Sequence, residues 1–173
     1  MKNLWDKEYN GVTSIPSSLR QEPAHALVEL FKDWQPNAGR VLDLGCGNGR
    51  IARYLASKGF EVVAMDYSDS AIKLVSENAQ DFSVIPVQHD IKEGLPFEDC
   101  SFDYVLDAYC LCHFVEIPRY HEAIKEVARV LKPEGSLIKL HIDNNDTYYV
   151  ERKVQDTAYG HLSFNSENGI YKG

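Results

Sequence analysis

Long apolar runs are missing from this sequence. No uncharged stretch approaches the ~20 residues needed to cross a bilayer, so no membrane span is expected. The opening MKNLWDKEYNG carries a charge every few residues and no apolar core of a secretion leader, and the expectation is a cytoplasmic protein. Cysteine is scarce, with four residues at Cys46, Cys100, Cys110 and Cys112. Without a secretion signal they are expected to be reduced. Cys110-x-Cys112-His113 is spaced too tightly for a structural zinc site and lacks a second ligand pair, so buried thiols and no metal are expected. Basic residues are outnumbered, 18 Lys and Arg against 26 Asp and Glu, for a net charge of −8. With no basic run either, a nucleic-acid partner is not expected, because phosphate contacts need a basic face. Repeats, low-complexity tracts and linkers are also missing. The 173 residues therefore read as one domain large enough for a substantial core.

Alternation of two periodicities is what the sequence does have. SSLRQEPAHALVELFKDW (17–34) opens with serines suited to capping and continues with a helical stripe of Leu27, Leu30, Phe31 and Trp34. RVLDLG (40–45) reads as a short buried strand and RIARYLASKG (50–59) as a helix stopped by Gly59. Strand two is expected over 60–66, a helix over 68–79, and strand three over 82–90, with Pro86 marking it as an edge. Strand four follows over 102–109, a helix from Pro118 through Leu131, and strand five over 136–142 after Pro133 and Gly135. Strands alternating with helices imply right-handed crossovers and a doubly wound, mostly parallel α/β sheet.

Between the first strand and its helix lies VLDLGCGNGR (41–50), with Gly45, Gly47 and Gly49 in five positions and Asp43 just before them. Such a cluster marks a turn of positive φ or a close approach to the backbone. It occupies the first βα turn, where doubly wound sheets bind ligands. The dinucleotide fingerprint G-x-G-x-x-G fails here because Arg50 stands where its last glycine belongs, and a P-loop fails for want of Lys-Ser/Thr.

The D-x-G-x-G-x-G pattern instead resembles the class I S-adenosylmethionine-dependent methyltransferases, of the small-molecule type found in ubiquinone and menaquinone biosynthesis. Four further stations in order carry the resemblance: VVAMDYS (62–68), VQHDI (87–91), LPFEDCSFDYVLDAYCLCHF (95–114) and VLKPEGSLI (130–138). It implies a Rossmann-like sheet of strand order 3-2-1-4-5 and S-adenosyl-L-methionine as cofactor. It implies an acceptor methylated by in-line displacement, leaving S-adenosyl-L-homocysteine. A small-molecule acceptor is expected, since the Pro-Pro-aromatic signature of amino-methylating nucleic-acid enzymes is missing. Two alternatives stand beside this: a cofactor-binding module without catalysis, and methylation of protein or RNA.

The resemblance assigns roles residue by residue. Gly45, Cys46 and Gly47 shape the loop around the methionine moiety and ribose. Asp66 suits both ribose hydroxyls, its competing role being a cap on the next helix. Asp43 either orders the loop or meets the methionine ammonium through water. Asp90 accepts from the adenine amino group or caps a helix, Ile91 packs on the ring, and Tyr67 stacks on its other face or lies exposed. Asp107, Tyr109, His113, His141 and Asp143 border the methyl, with Tyr109 and His113 as the catalytic candidates. Imidazole titrates near neutrality, which recommends His113 as base, against a plain role as a hydrogen-bonded residue of the next helix. Trp5 and Tyr9 fall four apart on one helical face, either as a lid over the cofactor or as a packing pair.

The domain is expected over 1–142, with 143–173 as an irregular segment in which the family's usual antiparallel strand pair is absent or incomplete. Strand five then lies near a sheet edge, which invites cover by that segment or by a second copy in a homodimer.

Overall fold

A computed structural model of the chain describes residues 2–11, 19–80, 82–114 and 116–140, and the backbone of 154–157, 160–165 and 170–172. The elements run α1 (Lys2–Tyr9), α2 (His25–Asp33), β1 (Arg40–Leu44), α3 (Arg50–Ser57), β2 (Glu61–Asp66), α4 (Asp69–Asn78), β3 (Val84–Gln88), β4 (Phe102–Ala108), α5 (Ile117–Val130) and β5 (Leu131–Leu140). One-turn 3-10 helices follow β3 (Ile91–Glu93) and β4 (Leu111–His113). β1 to β5 form one parallel sheet in the order β3-β2-β1-β4-β5. This is the expected fold. Three short strands, β6 (Val154–Thr157), β7 (Gly160–Asn165) and β8 (Ile170–Lys172), make a separate antiparallel sheet. Among the described residues, no helix is long and apolar enough to cross a membrane.

Strand alternation divides the core into two layers. Val41, Val62, Ala64, Leu106 and Ile138 pack beneath α2, α3 and α4 through Leu27, Ile51, Leu55 and Val75. Their chain neighbours Leu42, Leu44, Val63, Met65 and Val105 face the other way, onto Ala123, Val127 and Val130 of α5. A central strand apolar on both faces is what helices on both sides of a parallel sheet require.

Two elements depart from the sequence expectation. The helix foreseen over 17–34 begins only at His25. Residues 17 and 18 lie outside the described residues. The carbonyls of Arg20, Gln21 and Glu22 accept from Asn48 of the β1 loop and from Arg53 and Arg50 of α3, so they are not free to continue a helix. β5 starts at Leu131 rather than 136. Pro133 and Gly135 fall within an irregularity where Phe102 pairs with Leu131 but Tyr104 pairs with Ser136. A Cβ on Gly135 would lie 2.9 Å from the Lys132 carbonyl and 3.1 Å from that of Asp103. Pro86 does sit on an edge strand, as expected.

Candidate functional site

The loop after β1 is held by β2. The N–H groups of Gly45 and Cys46 both donate to the Met65 carbonyl, at 2.8 and 3.0 Å. The carboxylate of Asp66, 6% exposed at the end of β2, takes one bond on each oxygen. Gly47 N–H donates to Oδ2 at 3.0 Å and Ser68 N–H to Oδ1 at 2.9 Å. The Tyr67 N–H is a further backbone donor to this carboxylate, which with about four acceptor sites still has room for a ligand hydroxyl. Burial raises the Asp66 carboxyl above the ordinary range, against the lowering by its N–H donors.

Gly47 is where another group approaches the backbone. Its φ is +55°, and a Cβ there would lie 2.5 Å from the Tyr9 hydroxyl. Tyr9 therefore caps the loop from above, and burial together with the neighbouring Asp66 pushes its phenol well above the usual value. Gly45 and Gly49 yield space to the protein itself: their missing Cβ atoms would meet Cys110 at 2.6 Å and Val75 at 2.9 Å. Cys110 thus packs against the loop, and burial pushes both its thiol and that of Cys46 up.

Asp43 is 1% exposed. A backbone hydrogen bond joins it to Ala52, while Oδ2 is buried without a partner. Burial first, and then repulsion from Asp66, push its carboxyl up to about 7. Two buried carboxyl groups, Asp43 and Asp66, therefore face one loop.

α1 lies over this loop. Trp5 and Tyr9 stack with ring centres 5.8 Å apart, and Trp5 also meets the edge of His113 at 5.5 Å. The helix is latched to the start of α4, where Ser68 Oγ donates to Asp6 Oδ1 at 2.6 Å and accepts from Ala71 N–H as the N-cap. Asn10 Nδ2 adds a bond to Ser70 Oγ at 2.7 Å.

The remaining candidates separate into two groups. Tyr67, half-buried and raised by burial, lies within electrostatic reach of Asp66 and Asp90. Asp90 accepts from Lys92 N–H at 3.0 Å and caps the turn carrying Ile91. Ile91 and Phe114 line, with Ala123 and Glu126 of α5, a cleft of about 660 Å³ whose walls include none of Asp66, Tyr67 and Asp90. Asp107 is fully buried near the end of β4. Its Oδ1 accepts from Cys110 and Leu111 N–H, at 2.9 and 3.0 Å, and Lys139 Nζ stands 3.7 Å from Oδ2. Lys139 donates to the Tyr120 hydroxyl at 2.9 Å. Asp107 thus builds the turn that presents His113. Tyr109, between them, holds φ +66°, rare for a residue with a side chain and typical of functional sites. His141 and Asp143 lie outside the described residues.

Sequence reasoning missed the Asp6 latch, the Lys139–Tyr120 pair, and Asn48, which donates to the Arg20 carbonyl at 2.8 Å. A turn residue of helix-capping type, lodged among the glycines, was the available signal for Asn48. The other two depend on partners 62 and 19 positions away and leave no local trace. Among the described residues, no three His, Cys, Asp or Glu side chains gather as metal ligands.

Residues 41–135, more than half of the chain, match the family described as a methyltransferase domain. The chain belongs to that family. The chain is 33% identical over 157 residues to YqeM of Bacillus subtilis, itself provisionally named a methyltransferase, covering 87% of this chain and 61% of that protein. It is 33% identical over 116 residues to the demethylmenaquinone methyltransferase of Staphylococcus haemolyticus, covering 64% of this chain and 47% of that one. The chain therefore spans between about half and three fifths of the length of these relatives. Among solved structures, a SAM-dependent methyltransferase from Methanosarcina mazei superposes with a TM-score of 0.70 at 25% identity, covering 87% of this chain and 77% of that one.

Proposed function

We propose that this methyltransferase domain binds S-adenosylmethionine at the β1 loop and transfers its methyl group to a small-molecule acceptor in the cytoplasm. The observation that carries the reading is the buried Asp66 carboxylate, fixed by Gly47 and Ser68 N–H at the end of β2 with acceptor capacity left over. The unpartnered Oδ2 of Asp43 and the glycine backbone under Tyr9 also fit a nucleoside bearing an amino-acid end. When bound, the cofactor supplies a methyl already activated by a sulfonium charge. The protein's share is then positioning, which can be worth about 7–11 kcal/mol.

In this reading Asp66 holds the ribose and Gly45, Cys46 and Gly47 line the methionine arm. Asp90, Ile91 and Tyr67 receive the adenine, a reading supported by the proximity of Tyr67 to both Asp66 and Asp90. Tyr109 and His113 serve the acceptor, with His113 taking a proton where the acceptor must lose one. Asp107 joins the cofactor side of the site from the turn it caps. The demethylmenaquinone relative supports a small-molecule acceptor. We also assign the outer edge of β5 to cover by the segment after residue 140 or by a second copy.

Calorimetric titration with S-adenosylhomocysteine and NAD side by side tests the cofactor. Micromolar binding of the first and none of the second is expected, and the reverse overturns the reading. Labelled-methyl transfer into a metabolite pool then tests the acceptor class. Label in macromolecules alone, or tight binding without turnover on any acceptor, rejects it.

A further inference from the structure

β5 carries a lysine where the neighbouring strands carry apolar side chains. Ile138 and Leu140 pack in the layer of α3, so Lys139 between them turns to the side where Leu42, Leu44, Met65 and Val105 meet α5. A parallel sheet covered by a helix calls for an apolar residue there. Lys139 sits in register with Asp107 of β4, which is 0% exposed, and its Nζ stands 3.7 Å from Oδ2. Oδ2 accepts no hydrogen bond, and among the described residues Lys139 is the one cation in ion-pair reach of it. The ammonium is itself held by α5, donating to the Tyr120 hydroxyl at 2.9 Å and lying 4.9 Å from the ring centre. The other oxygen of Asp107, Oδ1, accepts from Cys110 and Leu111 N–H. On the near side of the turn, Tyr109 N–H donates to the Leu140 carbonyl at 3.2 Å. Tyr109, at φ +66°, is thus pinned before and after, and such a conformation persists only where its surroundings fix it. The turn runs on to His113, whose N–H reaches the Cys110 carbonyl at 3.1 Å and whose ring meets Trp5.

We propose that Lys139 is a positioning residue for the acceptor side of the site: its ammonium balances the Asp107 carboxylate, and the balanced carboxylate fixes the turn that places Tyr109 and His113. The inference rests on the reading of those two residues as serving the acceptor, and adds the charge on another strand that holds them. Without the ammonium, Oδ2 is a buried anion with no counter-charge. The carboxyl relieves that by turning towards solvent or taking up a proton, and either change weakens its hold on the Cys110 and Leu111 N–H groups. Tyr109 then loses one of the two anchors of its left-handed backbone, and His113 its fixed distance from Trp5. A lysine that only tied β5 to β4 would add to the stability of the fold and leave the folded turn unaffected by its removal.

Three substitutions separate positioning from plain stabilisation. Lys139→Met keeps the stem and removes the charge, Lys139→Arg keeps the charge, and Asp107→Asn keeps Oδ1 for the turn while removing the need for a cation. NMR of the intact chain reads amide exchange at Cys110 and Leu111 and the ring-to-ring contact of Trp5 with His113. In Lys139→Met we expect exchange at those two amides to be at least about tenfold faster and the Trp5–His113 contact weaker, with the signals of β1 and β2 unchanged. Lys139→Arg should keep both near wild type, and Lys139→Met should add nothing in the Asp107→Asn background. Labelled-methyl transfer into the metabolite pool should fall about 10- to 100-fold in Lys139→Met and be recovered in Lys139→Arg. Where Lys139→Met does not fold, Tyr120→Phe takes its place, since it frees the ammonium without removing it and should move the same signals in the same direction. A folded Lys139→Met, or failing that a Tyr120→Phe, with the turn as in wild type overturns the inference, and so does an undiminished effect in the Asp107→Asn background. A turn that loosens while transfer keeps its wild-type rate supports the placement by Lys139 and overturns the acceptor role of Tyr109 and His113 beneath it.

Discussion

At the end of β1 a carboxyl group is held away from water, and that has a consequence for stability that runs opposite to the usual aspartate. The Asp43 carboxyl ionises at about 7 in the folded protein, against about 3.9 in an unfolded chain. Between those values the folded state holds the extra proton, so stability falls as pH rises from about 4 to about 7 and stays reduced above that. Asp66 shifts in the same direction. Asp43→Asn removes the ionising group while keeping an acceptor for the Ala52 backbone. The variant is expected to be more stable than wild type at about pH 8, by up to about 4 kcal/mol, with the gap closing towards pH 4. Urea titrations across that range measure it, and parallel curves for the two proteins would refute the assignment. The same residue shows how far sequence goes. Asp43 beside three glycines announces a ligand loop, but each glycine also makes room for a protein side chain, Gly45 for Cys110, Gly47 for Tyr9 and Gly49 for Val75. Which glycine meets what depends on side chains from other elements, and the local pattern does not encode them.

α1 is an element whose place is set by a few polar bonds rather than by a broad apolar face. Ser68 does two jobs, capping α4 through Ala71 N–H and donating to Asp6 of α1. Ser68→Ala should therefore cost more than Asp6→Ala, about 1.5–3 against about 0.5–1.5 kcal/mol, because only the first loses a cap as well as the latch. Amide exchange over residues 2–10 should speed up in both variants, with a shift in Trp5 fluorescence as its stacking on Tyr9 loosens. Equal costs, or an α1 as protected as in wild type, would show that the latch does not hold the helix. The elements were readable in proportion to how local their causes are. β1, β2 and α3 to α5 follow from apolar periodicity and stop signals, and the helix and strand ends moved by one or two residues. α2 came out shorter and β5 longer because carbonyls at 20–22 are taken by α3, and because a bulge absorbs Pro133 and Gly135. The two N–H bonds that Asp107 accepts through Oδ1 reach only three and four residues ahead, so its turn is built locally.

The whole sheet has two outer strands, and they are not equally protected. β3 is five residues long and carries Pro86, which removes a backbone donor and blunts that edge. β5 spans ten residues, pairs only with β4 among the described strands, and leaves Leu137 36% exposed. Its faces are already used, Ile138 and Leu140 packing towards α3 and Lys139 reaching Tyr120 and Asp107. What remains open is the row of backbone groups along its outer edge. The net charge of −8 opposes close approach of identical chains at low salt. Cover by a second copy should therefore strengthen as salt rises, whereas cover by residues following 140 should not depend on concentration or strongly on salt. Hydrogen exchange of the 131–140 amides, followed over a hundredfold range of protein concentration at low and high salt, separates the two. Sedimentation equilibrium on the same samples gives the mass. Protection at every concentration in a monomer assigns the cover to the chain itself, and protection that grows with mass assigns it to a dimer. Rapid exchange along the outward-facing amides of β5 in a monomer would leave this edge bare and remove the proposal.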